Sequence, residues 1–580
     1  MSHRSLFRLV LVLFAFVMFP NFVMAGEVLK PLASQITTPV GDVQAYGATQ
    51  VPMITFGADY AEIHANGDAK VTTADSIWGR LGLNISLVLQ DDFKAQVRDY
   101  LSGKSPYLRG ELGMINEMTE GWNDPRVKPR VAALLTRSTG GDVVDVMPGI
   151  KTVEDWRGKR VAFQADGPHM YWLWVILDSN RMKLSDVKLV PMKNLSGKDS
   201  PAEALKMGKA DIAFVISPDH LALTSGGTVG TGAEGSVKGA RGFMTSKTGS
   251  YIVHDVYVVR EDYYQSHRDE VDKFTRGIMK SQEELGVLFA EKKSEQYKKA
   301  LKAFATIILG SPAAVADAEG MFGECTMAGF SENKKFFGEA NYPRGFANVN
   351  KEIQIALKAY GVLTTGSVLA WAEWDFDAMQ KASMLVAKPA APALNSAVVA
   401  AAVTRQAQAG TLGNNQIFPT FSIYFTPEQK EFAPAQYADA FEKIATDAGR
   451  FGGAVIVING NADPLGYLKA KKSGVQQGEL SKIKQAALNL SVSRALQVRD
   501  AIIAFAKSKG ISLDISQFSM VGNGFRTPKS GLKSSGACND AWLANDDPCP
   551  PKSQAAWAEN MRVDFNIVSV EAEAGAFEQL

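Results

Sequence analysis

Two kinds of hydrophobic spacing divide the C-terminal third of the chain into strands and helices. Residues 455–458 are four β-branched or apolar residues that end in Asn-Gly, which predicts a buried strand followed by a turn. Further on, apolar residues recur at helical spacing, with Arg494 in the first turns of the predicted helix. These apolar residues are Ala495, Val498, Ile502 and Phe505. Because Asp463 follows the strand, a carboxylate and a guanidinium are available to hold a zwitterionic ligand.

The N-terminal two thirds of the chain alternate short apolar strands with amphipathic helices. The predicted strands span residues 51–56, 83–89, 161–164, 187–190, 210–215 and 251–259. The predicted helices span residues 93–101, 169–177 and 200–208. This alternation implies a mostly parallel sheet with right-handed crossover connections.

Two stretches in this region carry a family resemblance. Residues 158–164 read Gly-Lys-Arg-Val-Ala-Phe-Gln and lead through a Gly-containing turn into a helix. Residues 202–213 read Ala-Glu-Ala-Leu-Lys-Met-Gly-Lys-Ala-Asp-Ile-Ala. Both are similar to periplasmic solute-binding proteins of the nitrate/sulfonate/taurine type. The resemblance implies a two-lobed α/β periplasmic-binding-protein fold over residues 46–385, a small polar or anionic solute between the lobes, and an inner-membrane permease as a partner.

Loops that follow the predicted strands are the candidate solute contacts, because open α/β sheets bind ligands at the carboxyl ends of their strands. The candidate residues are Thr55, Gly57, Asp59, Arg109, Gly167, His169 and Asp219. Backbone N–H groups before the helix at residue 169 favour an anion. Asp59 and Asp219 suit a cationic or hydroxylated solute better, so the charge of the solute stays open. Asp166 would repel an anion and is expected to cap the helix instead.

Structural alternatives exist for several of these candidates. The loop at residues 166–169 can carry Gly-Pro for purely structural reasons. His169 can be a helix cap or a satisfied surface group. Arg109 can form a surface salt bridge instead of contacting an anion.

A change of composition separates this region from the C-terminal domain. Residues 386–413 are rich in Pro and Ala with few large apolar residues, which is typical of a linker. The segment that follows, residues 414–572, carries the motifs Phe-x-Ile-x-Phe at 421–425, Asp463 with Gly466, Leu-Ser-x-x-Arg-Ala at 490–495, Gly522 and Gly524 with Pro528, and Asn560 with Arg562 and Val563. With these motifs the segment resembles the OmpA-like peptidoglycan-binding domain.

The OmpA-like resemblance implies a separate α+β domain that grips the diaminopimelate of peptidoglycan. It assigns the contacts to Asp463, Arg494, Asn461 and Arg562. The sequence departs from the family pattern at three places, where Asn461-Ala462 replaces His-Thr, Met561 replaces Arg, and Ala487 replaces Asn. The spacing from Asp463 to Arg494 is also about twice the usual one, and the extra residues 467–486 are expected to form a lysine-rich surface insertion that weakens wall affinity.

The N-terminus and the cysteines indicate an exported protein. Arg4 and Arg8 precede a short apolar run, and Ala25 ends a small-residue cleavage pattern, so residues 1–25 are predicted to be a cleaved signal peptide. Export permits disulfides. We predict a bridge between Cys538 and Cys549, worth roughly 3 kcal/mol in the chain-entropy model. The remaining thiol, Cys325, is expected to be buried.

Composition narrows the functional class further. The chain of 580 residues carries 62 Lys and Arg against 61 Asp and Glu, which argues against a nucleic-acid binder. No catalytic triad, paired-carboxylate motif or metal-ligand spacing stands out, so neither an enzyme nor a cofactor is expected. The sequence therefore predicts a periplasmic solute-binding protein held to peptidoglycan. The alternatives are a wall-anchored sensor or protein-docking module without a transported solute and, with less support, a wall-associated enzyme.

Overall fold

A computed structural model describes residues 29–233, 235–383, 421–511, 513–529 and 547–568, together with the isolated positions 385, 401, 403, 405, 542 and 543. The predicted signal peptide, most of the predicted linker and Cys538 lie outside these residues. The predicted leader cleavage and the Cys538–Cys549 bridge therefore stay predictions.

The strands occur in two groups, one before and one after the predicted linker. In chain order they are β1 (Thr49–Met53), β2 (Ile85–Leu89), β3 (Tyr107–Glu111), β4 (Pro129–Ser138), β5 (Asp142–Val146), β6 (Arg160–Gln164), β7 (Lys188–Met192), β8 (Ile212–Ile216), β9 (Arg241–Thr245), β10 (His254–Arg260), β11 (Cys325–Met327), β12 (Ala370–Trp371), β13 (Phe421–Tyr424), β14 (Val455–Gly460), β15 (Phe518–Gly522) and β16 (Arg562–Val568).

Helices connect most of these strands. In chain order they are α1 (Tyr60–Ala65), α2 (Ile77–Arg80), α3 (Phe93–Leu101), α4 (Leu112–Asn116), α5 (His169–Ser179), α6 (Pro201–Lys206), α7 (Ser217–Leu223), α8 (Glu261–Ser266), α9 (Arg268–Ala290), α10 (Glu295–Leu309), α11 (Val315–Gly323), α12 (Gly329–Gly338), α13 (Phe346–Tyr360), α14 (Phe376–Ser383), α15 (Ala438–Arg450), α16 (Leu465–Lys472), α17 (Gln477–Ser508) and α18 (Gln554–Ala558).

The N-terminal region forms two lobes, each with its own sheet. The first lobe holds the parallel pair β1-β2 and an antiparallel sheet of order β11-β4-β10-β3, with β12 added beside β4. The second lobe holds a sheet of order β7-β6-β8-β5-β9. In it β6, β7 and β8 run parallel, whereas β5 runs antiparallel to both its neighbours. The expectation of a mostly parallel sheet is therefore only partly right.

The chain passes between the lobes twice, and these passages explain the mixed sheets. Residues 139–141 lead from β4 into β5, and residues 246–253 lead from β9 back into β10. Each passage brings the chain into a sheet from the side facing the other lobe, so β5 enters opposite to β6 and β8. Two such passages between separate sheets are the arrangement in which lobes can move about a hinge.

The C-terminal region folds around a four-stranded sheet of order β13-β16-β14-β15. The pair β14-β15 is parallel, and β16 is antiparallel to both β13 and β14. The predicted buried strand is confirmed, since every residue of β14 is buried. The long helix α17 packs on β14 and β15 through buried residues that include Ala495, Val498 and Ile502.

The predicted surface segment at residues 467–486 is mostly exposed, but it is helical and three of its residues are buried. Part of it forms α16, and the rest forms the start of α17, a helix of 32 residues with Arg494 near its middle instead of in its first turns. Tyr467, Leu468 and Leu480 pack with Phe525 and Leu543 into a small apolar cluster. Apolar residues spaced for helical packing lie among the lysines, so the segment has a core of its own.

Candidate functional site

The two lobes touch each other where their predicted ligand loops meet. Ser217, at the start of α7, donates a hydrogen bond to Glu324 of the first lobe. A Cβ added at Gly141 would lie 3.1 Å from the Phe56 ring and 3.5 Å from the Glu324 side chain. The cleft between the lobes is therefore closed by direct contacts in this structure.

The loop after β1 is ordered by contacts within the first lobe. Asp91 accepts hydrogen bonds from the Thr55 backbone nitrogen at 2.7 Å and the Thr55 hydroxyl at 2.9 Å. Gly57 lies against the backbone of Met321, where an added Cβ would approach the carbonyl oxygen to 2.2 Å. Glycine at position 57 thus allows close approach of two backbone segments beside the cleft.

Arg109 and Asp59, two candidates far apart in sequence, form a buried ion pair. The Arg109 Nη2 atom lies 3.0 Å from Asp59 Oδ2, and its Nη1 atom lies 2.9 Å from Asp255 Oδ1. Thr136 donates a further hydrogen bond to Asp255 at 3.0 Å. Because Arg109 is only 3% exposed, the alternative of a surface salt bridge is wrong.

Carboxyl groups outnumber cations around this pair. Burial raises the pKa of Asp59 to about 6, although Arg109 opposes the shift. The fully buried Glu62 lies near Asp59, and burial followed by the Asp59 charge raises the pKa of Glu62 well above its usual range. A carboxyl group so raised holds its proton at neutral pH, which lowers the cost of burying it beside other acids.

His169 begins α5 and faces the passage between the lobes. Its side chain is fully buried, and its Nε2 atom lies 2.8 Å from Asp142 at the start of β5. The preceding Gly167 is buried as well, and a Cβ there would meet the Gln164 side chain at 2.5 Å. The structure therefore places His169 in a paired interior position, not in the exposed one that the cap interpretation assumed.

The expectation that Asp166 caps α5 is wrong. The residue at the cap is Pro168, and no side chain accepts a hydrogen bond there. Asp166 has a positive φ of 53° and reaches across to the first lobe, where Lys94 Nζ lies 2.8 Å away and Gln35 Nε2 lies 3.0 Å away. Burial, followed by the neighbouring Asp166 carboxylate, raises the pKa of Glu117 well above its usual range.

Asp219 is the candidate that the structure separates from the others. Residues 217–219 begin helix α7 instead of forming a loop, so that expectation is wrong. Burial raises the pKa of Asp219, while Ser196 and Lys206 lower it. These two neighbours belong to the second lobe, so Asp219 contacts its own lobe.

Three residues at the cleft escaped the sequence analysis, namely Lys94, Asp142 and Glu324. Lys94 lies in the first turn of α3, and Asp142 is the first residue of β5. Charged residues are common on the protein surface at both kinds of position, so neither residue stood out. Glu324 lies between a helix and a three-residue strand. The signal for Asp142 was its position directly after the passage at residues 139–141. That position points to the cleft only once the two lobes are known.

Arg494 forms the centre of the candidate site in the C-terminal domain. Its guanidinium donates to three backbone carbonyl oxygens, those of Gln429 at 2.8 Å, Asn461 at 2.8 Å and Thr426 at 3.3 Å. It also lies 5.0 Å from the centre of the Phe425 ring. Burial lowers the pKa of Arg494 to about 10, and Asp463 opposes the shift. Within the described part of the chain, no carboxylate lies within 4.0 Å of this guanidinium.

Asp463 and Asn461 lie beside Arg494 at the end of β14. Asp463 Oδ1 accepts hydrogen bonds from the Leu465 backbone nitrogen at 2.9 Å and from Trp557 Nε1 at 2.8 Å. Asn461 Oδ1 accepts from Thr527 at 2.7 Å. Asp463 and Arg494 therefore each bond to other groups instead of to one another.

Arg562 completes this group of residues at the start of β16. Its Nε atom lies 2.9 Å from Asp564 Oδ2, and its Nη2 atom donates to the Thr527 carbonyl at 3.3 Å. Its buried Nη1 atom has no hydrogen-bond partner among the described residues. The four residues named from the OmpA-like resemblance thus lie together at one end of the sheet, where both guanidinium groups are buried.

The thiol of Cys325 is buried, as expected. Its Sγ atom lies 3.8 Å from the Phe322 carbonyl oxygen, and burial raises its pKa well above the usual range. A protonated, buried thiol is a packing group and a poor nucleophile.

Comparison with known proteins identifies one domain in the chain. Residues 127–285 match the family model described as NMT1/THI5 like. The match begins just before β4 and ends within α9, so it contains both passages between the lobes and the whole second lobe. No curated protein matches the chain.

Several solved structures show a weak likeness to the N-terminal region. The periplasmic aliphatic sulphonate binding protein SsuA from Escherichia coli is 14% identical, with a TM-score of 0.37 over 56% of this chain and 90% of that chain. SsuA from Xanthomonas axonopodis pv. citri, bound to MOPS, is 15% identical, with a TM-score of 0.37 over 55% and 96% of the respective chains. The nitrate-binding protein NrtA from Synechocystis PCC 6803 is 13% identical, with a TM-score of 0.37 over 59% and 86%. Such low scores carry no argument about this protein.

A search of the described helices for membrane spans finds none that is long and apolar enough to cross a bilayer. A matching search of the described residues for groups of His, Cys, Asp and Glu finds none that could hold a metal ion.

Proposed function

We propose that this protein is an exported solute-binding protein whose C-terminal domain holds it to peptidoglycan. The observation that carries the first part is the match of residues 127–285 to an NMT1/THI5-like domain, which contains a complete second lobe and both lobe passages. The predicted leader at residues 1–25 supports export to the periplasm. A small polar or anionic solute is the proposed ligand, and an inner-membrane permease is the proposed recipient.

Because the cleft is closed, solute binding requires a conformational change. Ser217 meets Glu324, and Asp166 meets Lys94, so the lobes must separate before a solute can enter. A solute then replaces contacts that the two lobes otherwise make with each other. Binding in such a protein shifts the population between open and closed arrangements.

A thermal-shift screen of the full-length protein tests the solute-binding part. The panel contains small anions, sulfonates, phosphonates, amino acids and, because of the carboxyl groups around Asp59, primary amines. A solute at 100 times its Kd is expected to stabilise the protein by about 2.7 kcal/mol. Stabilisation by one chemical class identifies the solute, whereas a flat response to the whole panel contradicts solute binding.

The proposed wall contact rests on the chemistry around Arg494. A buried guanidinium held by carbonyl oxygens is charged and lacks a carboxylate partner within the described residues, so an anionic group from outside is its natural complement. Asp463 lies nearby and can accept an ammonium group. Diaminopimelate offers both a carboxylate and an ammonium group, which is why peptidoglycan is the proposed partner and the domain is proposed to be OmpA-like.

Sedimentation with purified sacculi tests the wall contact. Asp463→Ala and Arg494→Ala are expected to abolish co-sedimentation, a loss of at least about 100-fold in affinity, or about 3 kcal/mol. Arg499→Ala on the same helix is the matched control, because Arg499 pairs with the exposed Asp500. Unchanged sedimentation of the Asp463 and Arg494 variants would refute the proposed site.

A sensor without a transported solute is the second candidate function. One observation favours it: the C-terminal domain contacts the passage between the lobes directly, through a hydrogen bond from the Gly453 nitrogen to the Thr248 carbonyl at 3.2 Å. A receptor that only delivers solute has no need of such a contact. If no permease-dependent uptake accompanies solute binding, the sensor is the better description.

A further inference from the structure

The C-terminal domain packs against the second lobe through the end of α15. Asp447 accepts a hydrogen bond from Ser179, the last residue of α5, at 2.7 Å. Arg450 donates to Asp178 of the same helix at 2.8 Å. Asp447, Arg450 and Ser179 are all at least 95% buried, so these polar groups meet in an interface and not on an open surface.

The same arginine also reaches a helix that spans both lobes. Arg450 Nε lies 3.3 Å from Glu352 of α13. Helix α13 packs against α4 of the first lobe, where Gln354 donates to Asn116 at 3.1 Å. It also packs against α5 of the second lobe, where Tyr360 donates to the Met170 carbonyl at 3.0 Å. Arg450 therefore connects the C-terminal domain to both lobes.

Glu352 is the point at which this network converges. Its Oε2 atom lies 2.9 Å from Arg344 Nη1 and accepts a hydrogen bond from Tyr171 at 2.7 Å. Arg344 also donates to the carbonyl of Tyr251, in the second passage between the lobes, at 2.9 Å. The network thus includes the passage itself.

Two glycines bring the C-terminal backbone directly onto that passage. A Cβ at Gly453 would lie 1.9 Å from the Lys247 carbonyl oxygen, and a Cβ at Gly452 would lie 2.1 Å from the Tyr251 ring. The atoms nearest to both hypothetical Cβ positions belong to residues 247–251. The C-terminal domain can therefore pack on residues 247–251 only because positions 452 and 453 carry no side chains.

We infer that the docked C-terminal domain restrains the hinge between the two lobes, so that undocking this domain favours opening of the cleft. Opening of the lobes requires the backbone of residues 246–253 to change. Gly453 and Arg344 bind this segment, and Arg450 binds the helices α5 and α13. By linkage, anything that binds the C-terminal domain only when it is undocked also favours an open cleft. The inference goes beyond solute and wall binding, and its test needs neither ligand.

Hydrogen exchange of the full-length protein tests this inference. Gly453→Ala is the test variant, because its Cβ must push residues 247–248 away. Gly466→Ala is the matched control in the same domain, since nothing lies within 4 Å of its Cβ. In Gly453→Ala, amides of residues 246–253 and of the distant cleft segments 165–169 and 324–327 are expected to exchange roughly tenfold faster. The control should match the wild type.

A second variant keeps the test decisive if Gly453→Ala folds poorly. Asp178→Arg places a like charge beside Arg450, and Asp178 is 44% exposed on the N-terminal region, so its replacement leaves both cores intact. The same acceleration in both variants supports the inference. Faster exchange at residues 246–253 with unchanged cleft segments overturns it, because docking would then exist without restraint of the lobes. No change in either variant overturns the docking itself.

Discussion

Buried cations have different partners in the cleft between the lobes and in the site around Arg494. In the cleft, Arg109 is held between Asp59 and Asp255, and Lys94 meets Asp166, so the charges are satisfied within the chain. In the C-terminal site, Arg494 meets only carbonyl oxygens and an aromatic ring among the described residues. The first arrangement balances its charges within the chain, whereas the second satisfies its hydrogen bonds with neutral oxygens and leaves the positive charge of Arg494 unbalanced among the described residues.

This difference in charge pairing bears on the functions proposed for the two sites. A positive charge without an internal counter-charge attracts an anionic partner, which is what the proposed wall contact requires. A site closed by its own charges exchanges internal contacts for solute contacts, which suits capture and release. The interface of α15 with α5 and α13 connects the domain that contains Arg494 to the two lobes.

Removal of Arg109 is expected to have the largest effect on the cleft. Arg109→Met leaves Asp59 and Asp255 buried without a cation, which should lower the free energy of unfolding by about 3–5 kcal/mol. Denaturant unfolding at pH 7 measures the loss. Arg98→Met is the control, because Arg98 is 46% exposed and pairs with Asp92 at the surface. Equal stability of Arg109→Met and the wild type would show that the cleft charges are not mutually compensated, and the contrast with Arg494 would fail.

The interface should show a specific pH dependence through Glu352. Burial alone would raise the pKa of Glu352, but Arg344 and Arg450 hold it at about 2. A carboxyl group whose folded pKa is lowered adds stability that is complete above its unfolded pKa of about 4.5, and this stability is lost as the pH falls through about 2. The lowered pKa of Glu352 contributes at most about 3 kcal/mol to the free energy of unfolding.

Comparison of wild type with Glu352→Gln isolates this contribution. The difference in unfolding free energy between the two proteins should be constant from pH 5 to 8 and should shrink below about pH 4.5. A difference that grows on acidification contradicts the sign of the linkage. A difference of zero throughout shows that Glu352 does not hold the interface together.

The smallest expected effect concerns the contact across the mouth of the cleft. Lys94→Met removes the cation beside Asp166 and leaves that carboxylate against Glu117, so the closed arrangement should lose about 1–2 kcal/mol. Small-angle scattering should then show a larger radius of gyration without solute. Lys104→Met, which removes an exposed lysine paired with Asp99, is the control and should leave the scattering unchanged. An unchanged radius in Lys94→Met would mean that other contacts keep the lobes closed.

Local features were predictable where neighbouring residues decide them. The run of β-branched residues at 455–458 produces the buried strand β14. The group of Asp463, Arg494, Asn461 and Arg562 was identified through a motif, although a second helix lies between its members. The small core under the lysine-rich segment was not predictable, because its few apolar residues pack against Phe525 and Leu543, which are remote in sequence.

Hydrophobic spacing along the sequence located many of the strands and helices, and composition marked the change from the lobes to the linker and the C-terminal domain. The pairing of Arg109 with Asp59 and Asp255, the reach of Asp166 to the other lobe and the contact of Gly453 with Thr248 depend on the tertiary fold. The physical reason is that hydrophobic periodicity acts over a few residues, whereas the partner of a buried charge is fixed by packing between distant segments. Burial makes each such pair necessary for stability, because a buried charge without a partner costs several kcal/mol.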